Sequence, residues 1–105
     1  PEDVARTLVE LTARTITNTV ARFAPDAAEL YVCGGGVYNK TLMQAIASHF
    51  PGLTATTEAL GVPPMEVEAA AFAWLAERFL ASLPGNLPAV TRAAGPRILG
   101  ALYPR

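Results

Sequence analysis

Apolar side chains recur at helical spacing through the first part of the chain, at Val4, Leu8, Leu11, Ile16, Val20 and Phe23. The pattern predicts a helix over Asp3–Phe23, with Asp3 as its cap and Pro25-Asp26 as its end. Thr7, Thr12, Thr15, Thr17 and Thr19 lower its intrinsic propensity, so this helix needs a packing partner to persist. The spacing then changes. Within Glu29–Cys33, Leu30-Tyr31-Val32-Cys33 is a continuous apolar run, the pattern of a strand buried on both faces of a parallel sheet. Gly34-Gly35-Gly36 follows at once. Asn39 can cap a helix whose stripe is Leu42, Met43, Ile46 and Phe50, and Pro51-Gly52 stops it. Leu53–Thr57 predicts a second strand and Glu58–Pro64 a loop. Pro64 then sits near the first position of a long helix to about Leu83, with Glu66 and Glu68 in its first turn and Pro84-Gly85 as its break. The tail, Asn86 to Arg105, reads as irregular structure that wraps a surface.

Strand, turn, helix and strand in that order form the right-handed crossover of a parallel sheet, so the fold class is α/β with flanking helices. Two strands do not make a stable sheet. The rest of the sheet is expected from further chain or from a partner subunit. Composition points the same way. The 105 residues suffice for one compact domain, yet 51 % are hydrophobic and only 16 % charged, against about 25 % charged in an average domain. Either one face is buried against another domain, or the chain is a small globule well covered by alanine. The first fits better, because the excess is Ala, Leu and Val inside recognisable elements.

Charge and rare residues exclude several function classes. The net charge is -1 and the eight basic residues form no cluster, which argues against a nucleic-acid partner. Cys33 is the only cysteine and His49 the only histidine, so an internal disulfide, a cysteine metal cluster and a histidine-dependent triad are all excluded within this chain. Cys33 reads as a small buried hydrophobe and His49 as a surface or last-turn histidine. No charged-then-apolar leader and no apolar run of about 18 residues is present, so the protein is expected to be soluble and cytoplasmic, without a membrane partner. The chain opens on Pro1 and not on methionine, as a processed or truncated polypeptide does.

Two features carry candidate chemistry. Gly34-Gly35-Gly36 leaves a strand and enters a helix, at the strand end where open α/β sheets bind ligands. Its backbone can take positive φ and approach a ligand, and exposed N–H groups followed by a helix N-terminus favour a phosphate or nucleotide. The turn matches neither the dinucleotide nor the P-loop fingerprint, so a tight turn needing glycine for geometry alone remains an equal reading. Asn39 is either a helix cap or an amide near a ribose or adenine edge. Glu68, Phe72, Leu75 and Phe79 share one helix face at i, i+4, i+7 and i+11. Glu68 thus ends an apolar stripe, either as a rim residue suited to the helix dipole or as a cleft carboxylate accepting hydrogen bonds from a hydroxylated ligand. Glu66 points away from that face. Trp74 and Phe72 read as core or interface.

Four segments together resemble anhydro-N-acetylmuramic acid kinases. Leu30 to Met43 is similar to that family's strand, glycine turn and Asn-x-x-Leu-Met helix. Glu68 to Ala76 resembles its Glu-Ala-x-x-Phe-Ala-x-Leu-Ala helix, Leu83 to Thr91 its Pro-Gly-Asn-x-Pro-x-Val-Thr segment, and Leu99 to Pro104 its Leu-Gly-x-x-x-Pro close. Where the family pattern has Thr-Gly-Ala, this chain reads Thr91-Arg92-Ala93, and a different local turn is expected because arginine takes positive φ less readily.

The resemblance implies a carboxy-terminal part of the second, ATP-binding lobe of a two-lobe sugar kinase with an actin-like, ribonuclease H-like fold. It implies ATP and Mg²⁺ in the cleft, cleavage of 1,6-anhydro-N-acetylmuramic acid by water, and phosphorylation of the released 6-hydroxyl in peptidoglycan recycling. It also implies the remainder of the kinase chain as a partner and a homodimer. Gly34, Gly35, Gly36 and Asn39 correspond to the nucleotide wall and Glu68 to the sugar side. No residue corresponds to the family's catalytic aspartate or phosphate loops, so the chain alone is expected to be inactive. Another carbohydrate kinase of the same superfamily, or a non-enzymatic α/β oligomerisation module, are the competing readings.

Overall fold

The computed structural model describes residues 1–104. The chain divides into two compact units, Pro1–Val67 and a second beginning at Glu68. The first holds α1 (Glu2–Phe23), β1 (Glu29–Val32), a 3-10 turn (Gly35–Tyr38), α2 (Lys40–His49), β2 (Leu53–Thr56) and a second 3-10 turn (Thr57–Leu60). β1 and β2 pair in parallel, from Glu29 opposite Leu53 to Val32 opposite Thr56, with α2 as the crossover between them.

The threonines of α1 are satisfied within the helix. Thr7, Thr12, Thr15, Thr17 and Thr19 each donate a hydroxyl to the carbonyl four residues back. Asp3 is not the cap; the helix starts at Glu2 without a side-chain cap, and Glu2 and Asp3 both sit in the first turn, where carboxylates suit the helix dipole. α1 packs on α2. The buried positions are Ala13 and Thr17 on α1, with Ile46 and Phe50 at α2 and its end. Small side chains on α1 let the two helices approach closely around Ile46. The stripe expected from spacing is therefore not the packed one. Leu8 and Leu11 remain 57 % and 60 % exposed, Val4 and Phe23 still more so, while Ile16 and Val20 are half-buried. Ala13 and Thr17 lie across the helix from Leu8 and Leu11, so α1 is apolar on two sides and only one is covered.

The strands also depart from expectation. Leu30, Tyr31 and Val32 are half-buried instead of buried on both faces, because a single helical layer covers them. β1 ends at Val32, which leaves Cys33 exposed at the start of the glycine turn and not buried. β2 ends at Thr56, and Thr57 already belongs to the 3-10 turn that Gly61 closes at φ 80°.

The second unit is built on α3 (Val67–Leu80), of which Val67 is the last residue of the first unit, and a single-turn helix, α4 (Pro88–Thr91). α3 starts later than Pro64, because the Glu66 N–H donates to the Pro63 carbonyl in a turn ahead of the helix. It stops before Pro84-Gly85. Ser82 turns left-handed at φ 56°, the Leu83 N–H reaches the Arg78 carbonyl and the Ser82 N–H the Phe79 carbonyl, a Schellman closure. The tail is irregular as expected apart from the single turn of α4; Arg105 lies outside the described residues. Pro88 occupies the first turn of α4, where its missing N–H costs nothing. The Asn86 amide donates to the Gly95 carbonyl at 3.1 Å, its Oδ1 accepts the Arg97 N–H at 2.6 Å, and the Gly85 N–H donates to the Arg97 carbonyl. Leu99 and Gly100 then lie along Leu75 and Phe79.

Arg92 caps α4 at φ 57°, so the left-handed conformation that glycine favours is kept with arginine, contrary to expectation. A non-glycine residue there costs about 1 kcal/mol, so Arg92→Gly in the full-length protein is expected to stabilise by roughly 0.5–1 kcal/mol. Chemical denaturation measures this, and a lower midpoint in the variant would count against the strain.

Candidate functional site

The glycine turn leaves the carboxyl end of β1. Gly34 has φ 78° and ψ -178°, a conformation essentially restricted to glycine. Its N–H is not free for a ligand. It donates to the carbonyl of the buried Pro64 at 2.9 Å, tying the turn to the loop after β2. Gly35 and Gly36 open the 3-10 turn and are exposed. Their glycines have a different status from Gly34. Neither has positive φ; a Cβ at Gly35 would meet nothing within 4 Å, and one at Gly36 only Leu42 Cδ2 at an ordinary 3.6 Å. Packing within this chain thus gives no reason for glycine at 35 or 36.

Asn39 follows on the same turn, its N–H donating to the Gly36 carbonyl. Its Oδ1 accepts the Leu42 N–H at 3.1 Å and caps α2, as its residue type suggests. The cap uses only the oxygen; Asn39 is exposed, and its Nδ2 donors take no partner among the described residues. Because a 3-10 turn and this cap intervene, the N-terminus of α2 does not open directly on the glycines. The arrangement therefore suits a ligand lying flat against bare backbone better than a phosphate cradled by converging N–H groups.

Glu68 lies in the first turn of α3 and is exposed, making no hydrogen bond or ion pair among the described residues. On the same helix Phe72 is 72 % exposed, while Leu75 and Phe79 line an open apolar groove of about 390 Å³ with Leu99–Ala101. Trp74 is half exposed and carries the Arg78 guanidinium 5.4 Å over its ring. Neither Phe72 nor Trp74 is core.

One polar cluster was not visible in the spacing. Glu10 Oε1 accepts from Arg14 Nε at 2.6 Å and from His49 Nε2 at 2.7 Å, joining α1 to the last turn of α2. These two hydrogen bonds, Arg14 foremost, hold the Glu10 carboxyl below its usual range. With a lowered folded value, the stabilisation is complete above the ordinary carboxylate range and is lost as pH falls through the folded value. Thermal unfolding of Glu10→Gln is expected to lose this acid-side dependence; an unchanged pH profile would show the pair to be inert. The cluster is half-buried at Glu10 and His49 and does not touch the glycine turn. Among the described residues no group of three or more His, Cys, Asp or Glu converges, and no helix is long and apolar enough to cross a membrane.

Comparison with known proteins places the whole chain. Residues 1–105 match the family model for anhydro-N-acetylmuramic acid kinase. The chain is 56 % identical over 110 residues to the anhydro-N-acetylmuramic acid kinase of Burkholderia thailandensis, covering 100 % of this chain and 29 % of that protein. It is 54 % identical over 104 residues to the enzyme of the same name from Pseudomonas paraeruginosa, covering 98 % of this chain and 28 % of that protein. The chain thus spans under a third of the length of the curated relatives it matches.

Proposed function

Because the chain belongs to the anhydro-N-acetylmuramic acid kinase family, we propose that it is the carboxy-terminal part of the ATP-binding lobe of a two-lobe, actin-like kinase. The full-length protein transfers the γ-phosphoryl group of ATP to the 6-hydroxyl of the sugar while water opens the 1,6-anhydro bond. The products are N-acetylmuramic acid 6-phosphate and ADP, in cytoplasmic recycling of peptidoglycan by a homodimeric enzyme. Gly34, Gly35, Gly36 and Asn39 form the adenosine wall, and Glu68 accepts hydrogen bonds from the sugar.

The observation that carries this reading is the bare backbone at Gly35. Its side chain is absent where neither φ nor packing requires absence, which is what close approach of a planar ligand demands. The Asn39 amide and the exposed Glu68 carboxylate supply polar groups for ribose or adenine and for sugar hydroxyls. Mg²⁺ would neutralise phosphate charge when ATP is bound; among the described residues no three His, Cys, Asp or Glu side chains converge. Phosphate loops and the base for water lie in other parts of the polypeptide, so residues 1–105 alone are inactive.

The test is a substrate panel. Full-length protein with ATP and Mg²⁺ is expected to phosphorylate 1,6-anhydro-N-acetylmuramic acid and neither glycerol nor a pentulose, read by mass spectrometry of the sugar product. Transfer to glycerol or a pentulose instead would reassign it to another carbohydrate kinase. Turnover by residues 1–105 alone would end the partial-lobe reading.

A further inference from the structure

Tyr38 closes the 3-10 turn that Gly35 opens, and its side chain is left 70 % exposed. Phe23 and Trp74, exposed elsewhere, each hold a guanidinium over the ring, at 5.0 and 5.4 Å. Among the described residues the Tyr38 ring has no such partner.

The turn itself says what the ring faces. Side chains three residues apart eclipse one another along a 3-10 helix, so Gly35–Tyr38 presents three faces. Val37 is half-buried and takes the face toward the protein. Gly36 lies against Leu42, whose Cδ2 is 3.6 Å from where a Cβ would stand. Gly35 and Tyr38 share the third face. Nothing lies within 4 Å of the Cβ position at Gly35, so the Tyr38 ring does not fold back over it. A longer side chain at 35 would occupy that space. Glycine leaves a slot there, floored by backbone and bordered by an aromatic ring. The Gly34 N–H on the Pro64 carbonyl and the Asn39 Oδ1 on the Leu42 N–H pin the turn at either end. Tyrosine has only two χ angles to order, so a contact through its ring costs little entropy. A flat ring beside bare backbone suits a flat aromatic ligand, and the nucleobase is the flat part of a nucleotide.

We propose that Tyr38 stacks on the nucleobase of the bound nucleotide, which lies in the slot over Gly35 beside the Asn39 amide. The inference rests on the glycine turn being the nucleotide wall, and it names the part of the nucleotide that sits there. Every base has a π-face, so this contact holds the base without selecting adenine over guanine.

Calorimetric titration of the full-length protein with ATP tests this. Tyr38→Ala is expected to weaken ATP binding at least about 10-fold, while Tyr38→Phe, which keeps the ring, binds within about twofold of the parent. An unchanged affinity in Tyr38→Ala would overturn the proposal. So would equal losses in the two variants, because the hydroxyl and not the ring would then make the contact. Where Tyr38→Ala does not fold, the unmutated protein decides. The ring-proton resonances of Tyr38, assigned with Tyr38→Phe, are expected to move upfield on adding ATP and not on adding tripolyphosphate, which lacks a base. Resonances that stay in place, or that respond equally to both, would overturn it. ATP binding that survives Tyr38→Ala but is lost in Gly35→Asp keeps the nucleotide wall and removes the stacking. No ATP binding by the unmutated protein removes both.

Discussion

Replacing Gly35 by aspartate in the full-length protein is expected to weaken ATP binding at least about 100-fold, close to 3 kcal/mol, with stability changed by less than about 0.5 kcal/mol. The two halves of this result come from different observations. Stability is spared because the site is open: no atom lies within 4 Å of the Cβ position, and the backbone there is not left-handed. Binding is lost because the new carboxylate occupies the space of the nucleotide and repels its phosphates. Gly35→Ala separates the two causes, since it keeps the steric term and removes the charge. Calorimetric titration with ATP alongside thermal unfolding reads both quantities. Unchanged affinity in Gly35→Asp would remove the glycine turn from the nucleotide site. Gly34 behaves differently. Any side chain there meets positive φ, so its variants lose stability whether or not a nucleotide binds nearby.

Asn86→Ala is expected to cost about 1–3 kcal/mol, because it removes two hydrogen bonds and leaves the Gly95 carbonyl and the Arg97 N–H without their partner. The Asn86 side chain does the work of a strand neighbour. It accepts and donates across a gap in sequence that no regular element spans, and with the Gly85 N–H it ties the base of the Asn86–Arg97 loop. Asn86→Asp should be intermediate. It keeps the acceptor for Arg97 and loses the donor to Gly95. Proteolysis within 87–96 should accelerate in Asn86→Ala, and a loop as resistant as the parent's would show that the clamp is dispensable.

The element order could be read from the sequence because it depends on local signals. The strand–turn–helix–strand core came from a change of period and from glycine, proline and asparagine at its corners. Asn39 was legible as a cap because the cap bond is local. What escaped reading was set by contacts distant in sequence. The packed face of α1 is marked by Ala13 and Thr17, small residues that a hydrophobic stripe does not reveal, while its leucines stay exposed. The Glu10–His49 pair spans 39 positions and leaves no periodic trace. Asn86 was visible only as part of a resembling motif; its bonds to Gly95 and Arg97 explain why that residue type sits there. At the candidate site, the type of residue was legible and its availability was not. Nothing in the sequence shows that Pro64 already takes the Gly34 N–H.

That hydrogen bond has an entropic consequence. The glycine turn is held in shape from outside itself, by the carbonyl of a buried proline, before any ligand arrives. A run of three glycines would otherwise be the most conformationally free stretch of the chain, and a ligand seated on it would lose affinity to the ordering of that stretch. Anchored at Gly34, the turn has little of that freedom left to lose. On the proposed function, a nucleotide resting on Gly35 and Gly36 would meet a preorganised wall, and folding rather than binding would bear the cost of its rigidity.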